Sequence, residues 1–151
     1  MLASKDGARR GDVKVNEEEL DTKQKVLLAM YVEYQKDLPE MDKNIRPDIL
    51  GITRDVFYVA LEKLVNEGWI NVRLSYADGR SFPFMAYLDK AKLTRDGINY
   101  VENKLKIDKT LNGKDKVRQI VEKAGSWGFS QLKDIAVKAL AEMIARNAAG
   151  I

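Results

Sequence analysis

The chain contains neither cysteine nor histidine. The first absence rules out a disulfide framework, and the two together rule out zinc and haem sites built on those ligands. A histidine base and a cysteine nucleophile are excluded as well. No apolar run approaches the roughly 20 residues needed to span a bilayer. Residues 1–16 are polar and lack the apolar core of a secretory signal. A cytoplasmic protein without membrane contact is therefore expected. Charge of one sign is also lacking: 26 basic and 23 acidic residues leave a net charge of +3, too mild to announce nucleic acid by itself. What is there is an ordinary globular composition, 45% hydrophobic and 32% charged over 151 residues. That length supports one real core in one or two small domains.

Residues 1–20 carry small, polar and charged side chains with almost no apolar period, and read as a flexible N-terminal arm. A minor-groove DNA arm is the alternative. Asp21 opens the first helix and stands three residues before Gln24, the spacing of a capping box. Leu27, Met30, Tyr31 and Tyr34 follow as a core stripe, while Val26, Leu28, Ala29 and Val32 make the helix apolar nearly all round. Such a helix calls for cover on a second side. Pro39 and the polar residues around Asp42 and Asn44 end it.

Pro47 suits the first turn of a short helix, Pro47 to Leu50, and Gly51 supplies the turn. Thr53 is placed to cap the next helix, with Phe57, Ala60, Leu61 and Leu64 inward and Gly68 as its left-handed stop. Trp69 to Tyr76 reads as a strand. Ala77-Asp78-Gly79-Arg80 carries a hairpin-turn signal, and Ser81 to Leu88 is the expected return, at an edge because of Pro83. Thr94 caps one more helix, with Ile98, Val101 and Leu105 inward.

Beyond Ile107 the character changes. Lys106, Lys109, Lys114, Lys116 and Arg118 form a basic stretch around Asn112-Gly113, expected to be a linker. Val117, Ile120, Val121 and Ala124 then repeat at helical spacing up to Gly125. Ser130 is expected to cap a last helix whose broad inner face is Leu132, Ile135, Ala136, Ala139, Leu140 and Met143.

The fold class expected is therefore α+β, mostly helical. It is a winged helix over residues 21–105, a three-helix core with a β-hairpin wing, followed by a basic linker and a C-terminal helical hairpin over 106–151. Gly68-Trp69-Ile70, Tyr76-Ala77-Asp78-Gly79-Arg80 and Lys92-Leu93-Thr94-Arg95-Asp96-Gly97-Ile98-Asn99-Tyr100 carry a resemblance to the winged-helix superfamily. Over about residues 22–105 the chain most resembles the YjcQ-like family of small bacterial and phage proteins. The resemblance implies the three-helix core and its wing, and implies no activity.

In a DNA-binding winged helix the third helix enters the major groove and the wing touches backbone or minor groove. Counting about 100° per residue from Phe57 puts Asp55, Val59, Glu62 and Asn66 at the centre of the outward face, flanked by Tyr58 and Lys63. Residues 21–105 hold equal numbers of basic and acidic side chains, so any phosphate affinity needs charge from elsewhere. Arg73, Arg80, Lys90 and Lys92 offer the wing a local basic edge, weighed against an ordinary solvated hairpin. The leading expectation is a DNA-associated transcription regulator from a bacterial, phage or prophage context. Its duplex contacts would be Arg54, Tyr58, Lys63, Arg80, Lys114, Lys116 and Arg118. The alternative is a protein–protein adaptor that keeps the shape and contacts a partner through Asp55, Val59 and Glu62.

For the last helix the readings are packing back onto the first helix, a homodimer or partner interface through Leu132, Ile135, Ala136, Ala139, Leu140 and Met143, and a membrane-surface role. The last is least suited, because Asp134, Lys138 and Glu142 mix signs on the polar side. Catalytic patterns are poor. Ser130-Gln131-Leu132-Lys133 fits Ser-x-x-Lys without its companion motifs, and Gly113-Lys114 lacks the earlier glycine of a phosphate loop. Scattered carboxylates leave only an oxygen-ligand magnesium site open. The chain is expected to be no enzyme and to hold no cofactor or metal.

Overall fold

The structure, a computed structural model, describes residues 19–148; the expected arm at 1–18 lies outside the described residues. Helix α1 (Thr22–Tyr34) starts on the capping box. The Asp21 carboxylate accepts from the Gln24 N–H at 2.9 Å, and Gln24 Oε1 accepts from the Asp21 N–H at 2.8 Å. Every residue from Val26 to Glu33 is buried, so α1 is the axis of the core. Tyr34, expected in the inner stripe, is 43% exposed. It is the last helical residue, past the elements that surround the earlier turns.

A four-residue helix α2 (Met41–Asn44) interrupts the stretch read as coil and buries Met41 ahead of Ile45. Helix α3 (Pro47–Leu50) ends on Gly51 at φ +72°. Helix α4 (Arg54–Asn66) buries Phe57, Ala60, Leu61 and Leu64. Thr53 stands at its N-cap with extended backbone, but its hydroxyl makes no capping bond; the Thr53 carbonyl instead takes the Phe57 N–H at 2.9 Å. The far end is a Schellman stop. Gly68 at φ +78° donates to Val65 O and Trp69 to Leu64 O, both at 3.0 Å.

Strands β1 (Ile70–Ser75) and β2 (Met85–Leu93) form an antiparallel pair running from Ile70 opposite Leu93 to Ser75 opposite Met85. The returning strand thus lies later than the expected Ser81–Leu88. Pro83, which has no ladder donor, is buried in the loop before it. Pairing resumes once the Phe84 N–H reaches Ser75 O at 2.9 Å. A register shift between Asn71 and Arg73 gives β2 extra residues, a bulge that twists the wing.

Thr94 caps helix α5 (Arg95–Leu105), accepting from the Gly97 N–H at 3.0 Å. A Cβ on Gly97 would stand 2.1 Å from Trp69 O, so the approach of α5 to the start of the wing requires glycine. Val101 and Leu105 are buried, and Ile98 partly so. The chain is an α+β winged helix with a C-terminal helical extension.

In that extension helix α6 spans Gly113–Lys123. Asn112 accepts the Asp115 N–H at 2.9 Å as its N-cap. Lys114, Lys116 and Arg118 are therefore helical residues, not linker. A 3-10 turn (Ala124–Ser126) carries Gly125 and leads into buried Trp127 and Phe129. Helix α7 (Leu132–Ala148) follows. The Ser130 hydroxyl, expected to cap it, donates to Gln131 Oε1 at 3.1 Å. Leu132, Ala136 and Ala139 are buried against α1 and α6, with Ile135, Leu140 and Met143 partly buried beside them. The second side of α1, with Leu28, Ala29 and Val32, is thus covered within one chain.

Two buried carboxylates pin the extension. Glu102 Oε2 accepts from Tyr31 Oη and from Lys116 Nζ, both at 2.7 Å. Glu33 accepts from the Glu40 N–H at 2.8 Å and from Asn44 Nδ2 at 3.1 Å, and pairs with Lys36 at 3.0 Å. Lys36 also binds Glu142 of α7. Although burial lowers the pKa of Lys36, bonds to Glu142 and Glu33 raise it overall.

Candidate interaction surface on α4 and the wing

The outward side of α4 is where a winged helix meets its ligand, and here the wing crosses it. Tyr76, just past β1, donates its hydroxyl to Glu62, which pushes the tyrosine pKa up. Arg80 at the turn stands 3.7 Å from the Asp55 carboxylate and 4.4 Å from the centroid of the Phe82 ring. Arg54 donates to Phe84 O at 3.2 Å and lies 5.3 Å from the centroid of the Tyr58 ring. Asp55 and Glu62, the carboxylates at the centre of the outward face, are thereby both held by wing residues.

Between the wing, α4 and the start of α1 lies an open groove of about 740 Å³. Val56, Val59, Ala60 and Phe82 form its apolar lining, with Val56 47% exposed. Asp21, Asp55 and Lys63 stand on its rim beside the Lys23–Glu67 ion pair. The Lys23 ammonium and the Trp69 indole N–H hold the Glu67 carboxyl below its usual range. The surface is mixed in charge around an apolar centre. It is not a continuous positive band.

The seven candidate DNA contacts are not brought together. Arg54, Tyr58 and Arg80 do meet at the wing, and Lys63 is exposed on the groove rim. Lys114 lines a separate cavity of about 230 Å³ with Gln35, Leu38 and Arg146. Lys116 is 15% exposed and bonded to buried Glu102, so it is not a surface cation. Arg118 pairs with Asp115 at 2.7 Å. No residue of α6 lines the groove. The proposed partner face of α7 is turned inward, and enclosed Leu132, Ala136 and Ala139 are unavailable to a partner.

Phe82 and Val56 were missing from the expected contact residues. Val56 had a signal, an apolar side chain on the solvent half of an amphipathic helix. Phe82 had none, because the wing loop was read as strand. Among the described residues no group of three or more carboxylates is placed to hold a metal, and no helix is long and apolar enough to cross a membrane. Residues 24–120 match the family model described as YjcQ protein, a span that runs past Leu105 over most of α6. No curated protein and no solved structure matches the chain.

Proposed function

The chain belongs to the YjcQ family, and from the geometry of its α4 face we propose that it is a winged-helix protein-interaction module rather than a reader of duplex DNA. One observation carries this reading: the wing lies across the face of α4 that would enter a major groove, tying Asp55 and Glu62. What is left open is a groove with an apolar lining and a rim of both signs. Such a surface suits a protein segment with an apolar anchor, where burial of one side chain contributes about 1.5–3 kcal/mol. Three of the candidate cations, Arg80, Lys116 and Arg118, are paired with carboxylates. The proposed role is binding rather than catalysis: the chain has neither a histidine base nor a cysteine nucleophile.

A second reading, a DNA-associated regulator, has one observation in its favour. Arg73 and Lys90 share a shallow concavity on the wing strands, with Arg73 stacked 4.3 Å from the Tyr87 ring centroid. Phosphate contact there would be weak and salt-sensitive. Fluorescence anisotropy with fragments of the source genome at low salt separates the two. The interaction-module reading expects no binding at tens of micromolar, a range typical of the weakest non-specific association. Binding that is weakened by Arg54→Ala and Arg73→Ala would establish the DNA reading.

A further inference from the structure

Helix α7 is apolar on two opposite sides. Leu132, Ala136 and Ala139 are enclosed within the chain. On the other side Val137, Ala141, Ile144 and Ala145 form an exposed stripe at i, i+4, i+7 and i+8, with Val137 45% and Ile144 43% exposed. A helix apolar all round is normally covered on both sides. For α1 the chain itself does so; for α7 the described residues cover one side.

We propose that the outer stripe of α7 is the seam of a homodimer, packed antiparallel against α7 of a second copy about a twofold axis near Ala141. Self-complementarity of charge selects this occupant. With the helix reversed about positions 140–141, Val137 meets Ile144 of the second copy. Small Ala141 lies at the axis, where the backbones come nearest. Lys138 stands at the height of the second copy's Glu142 on the same flank, and symmetry repeats the pair. Glu142 also holds Lys36, yet its side chain is 44% exposed and accessible from outside. A parallel pairing would put Lys138 and the second copy's Glu142 on opposite flanks of the seam, and no such pair forms. The seam is narrow beside a standard interface of about 1,600 Å², so the dimer dissociates in the micromolar range. No residue of α7 lines the groove on α4. Dimerisation thus presents two grooves, and neither proposal depends on the other.

The absence of cysteine makes the test clean. Sedimentation velocity over about 5–200 μM, spanning the micromolar range expected of a small interface, should show the mass rising from one chain to two. Val137→Asp and Ile144→Asp, both on the exposed side, should hold it at one chain with unchanged circular dichroism. Ala141→Cys should form a disulfide-linked dimer on mild oxidation, whereas Glu122→Cys on the exposed side of α6 should not. A Val137→Cys chain mixed with an Ile144→Cys chain should cross-link to it in preference to itself. A single chain mass at every concentration, with Ala141→Cys remaining monomeric, would overturn the proposal. Preferred Val137-to-Val137 links would overturn the antiparallel arrangement.

Discussion

Helices α1 and α7 are written in much the same way and end in different surroundings. Both carry apolar residues around most of their circumference. α1 has α4, α5 and α7 against it and buries eight consecutive residues, Val26 to Glu33. α7 rests on α1 and α6 and leaves Val137 and Ile144 to solvent. An all-round apolar helix therefore announces that cover exists, and its place in the fold decides whether the same chain supplies it. The polar links differ too. α1 places Tyr31 and Glu33 inside the core, where each has bonded partners, whereas among the described residues α7 offers Glu142, from its rim, to Lys36.

The contrast is sharpest in stability. Leu28→Ala, at the enclosed centre of α1, should destabilise the fold by about 4 kcal/mol in urea unfolding, within the range for buried leucines. Leu132→Ala on the enclosed side of α7 should cost about 3 kcal/mol by the same measurement. A negligible loss there would mean that the extension is not part of the cooperative core. Lys116→Met leaves the buried Glu102 carboxylate without its ammonium and should cost about 3 kcal/mol; a thermal melt that barely moves would show that the Glu102–Lys116 pair is dispensable. At the weak end, Val137→Ala at low concentration should change monomer stability by less than about 0.5 kcal/mol.

Tyr31 adds a pH dependence. Burial, and then its bond to Glu102, push its hydroxyl pKa up. Unfolded tyrosine ionises near pH 10, so the folded chain keeps a proton there that the unfolded chain loses. The stability linked to this shift is complete below about pH 10 and falls as pH rises above it. Tyr31→Phe should cost about 1 kcal/mol at neutral pH and flatten the loss of melting temperature between about pH 10 and 11. An equally steep loss in the variant would assign the dependence to other groups.

Most of the fold was legible because local rules and tertiary packing agree. The Asp21–Gln24 box, Pro47, the stripe from Phe57 to Leu64, the Gly68 stop and the Thr94 cap all fall where their chemistry places them. The misses came where a polar residue has a tertiary partner that spacing does not reveal. Lys116 looks like one cation in a basic run, and only the fold brings it to Glu102. The short helix at Met41 is held by burial of Met41 and Ile45 and by the Glu33 bonds, not by its own propensity. The groove was half legible. Val59 lay on the counted outward face, but the path of the wing over it depends on a loop whose strand boundary Pro83 shifted.

The claim at the centre of this account is that the groove on α4 holds a protein segment. The most direct measurement is photo-cross-linking in cells of the source organism, with a benzoylphenylalanine at Val56 and a control at Glu122 on the exposed side of α6. The account predicts a nuclease-resistant protein adduct at Val56 that is lost when Val59→Asp is added, and none at Glu122. An adduct of Val56 with nucleic acid, or a protein adduct indifferent to Val59→Asp, would contradict it.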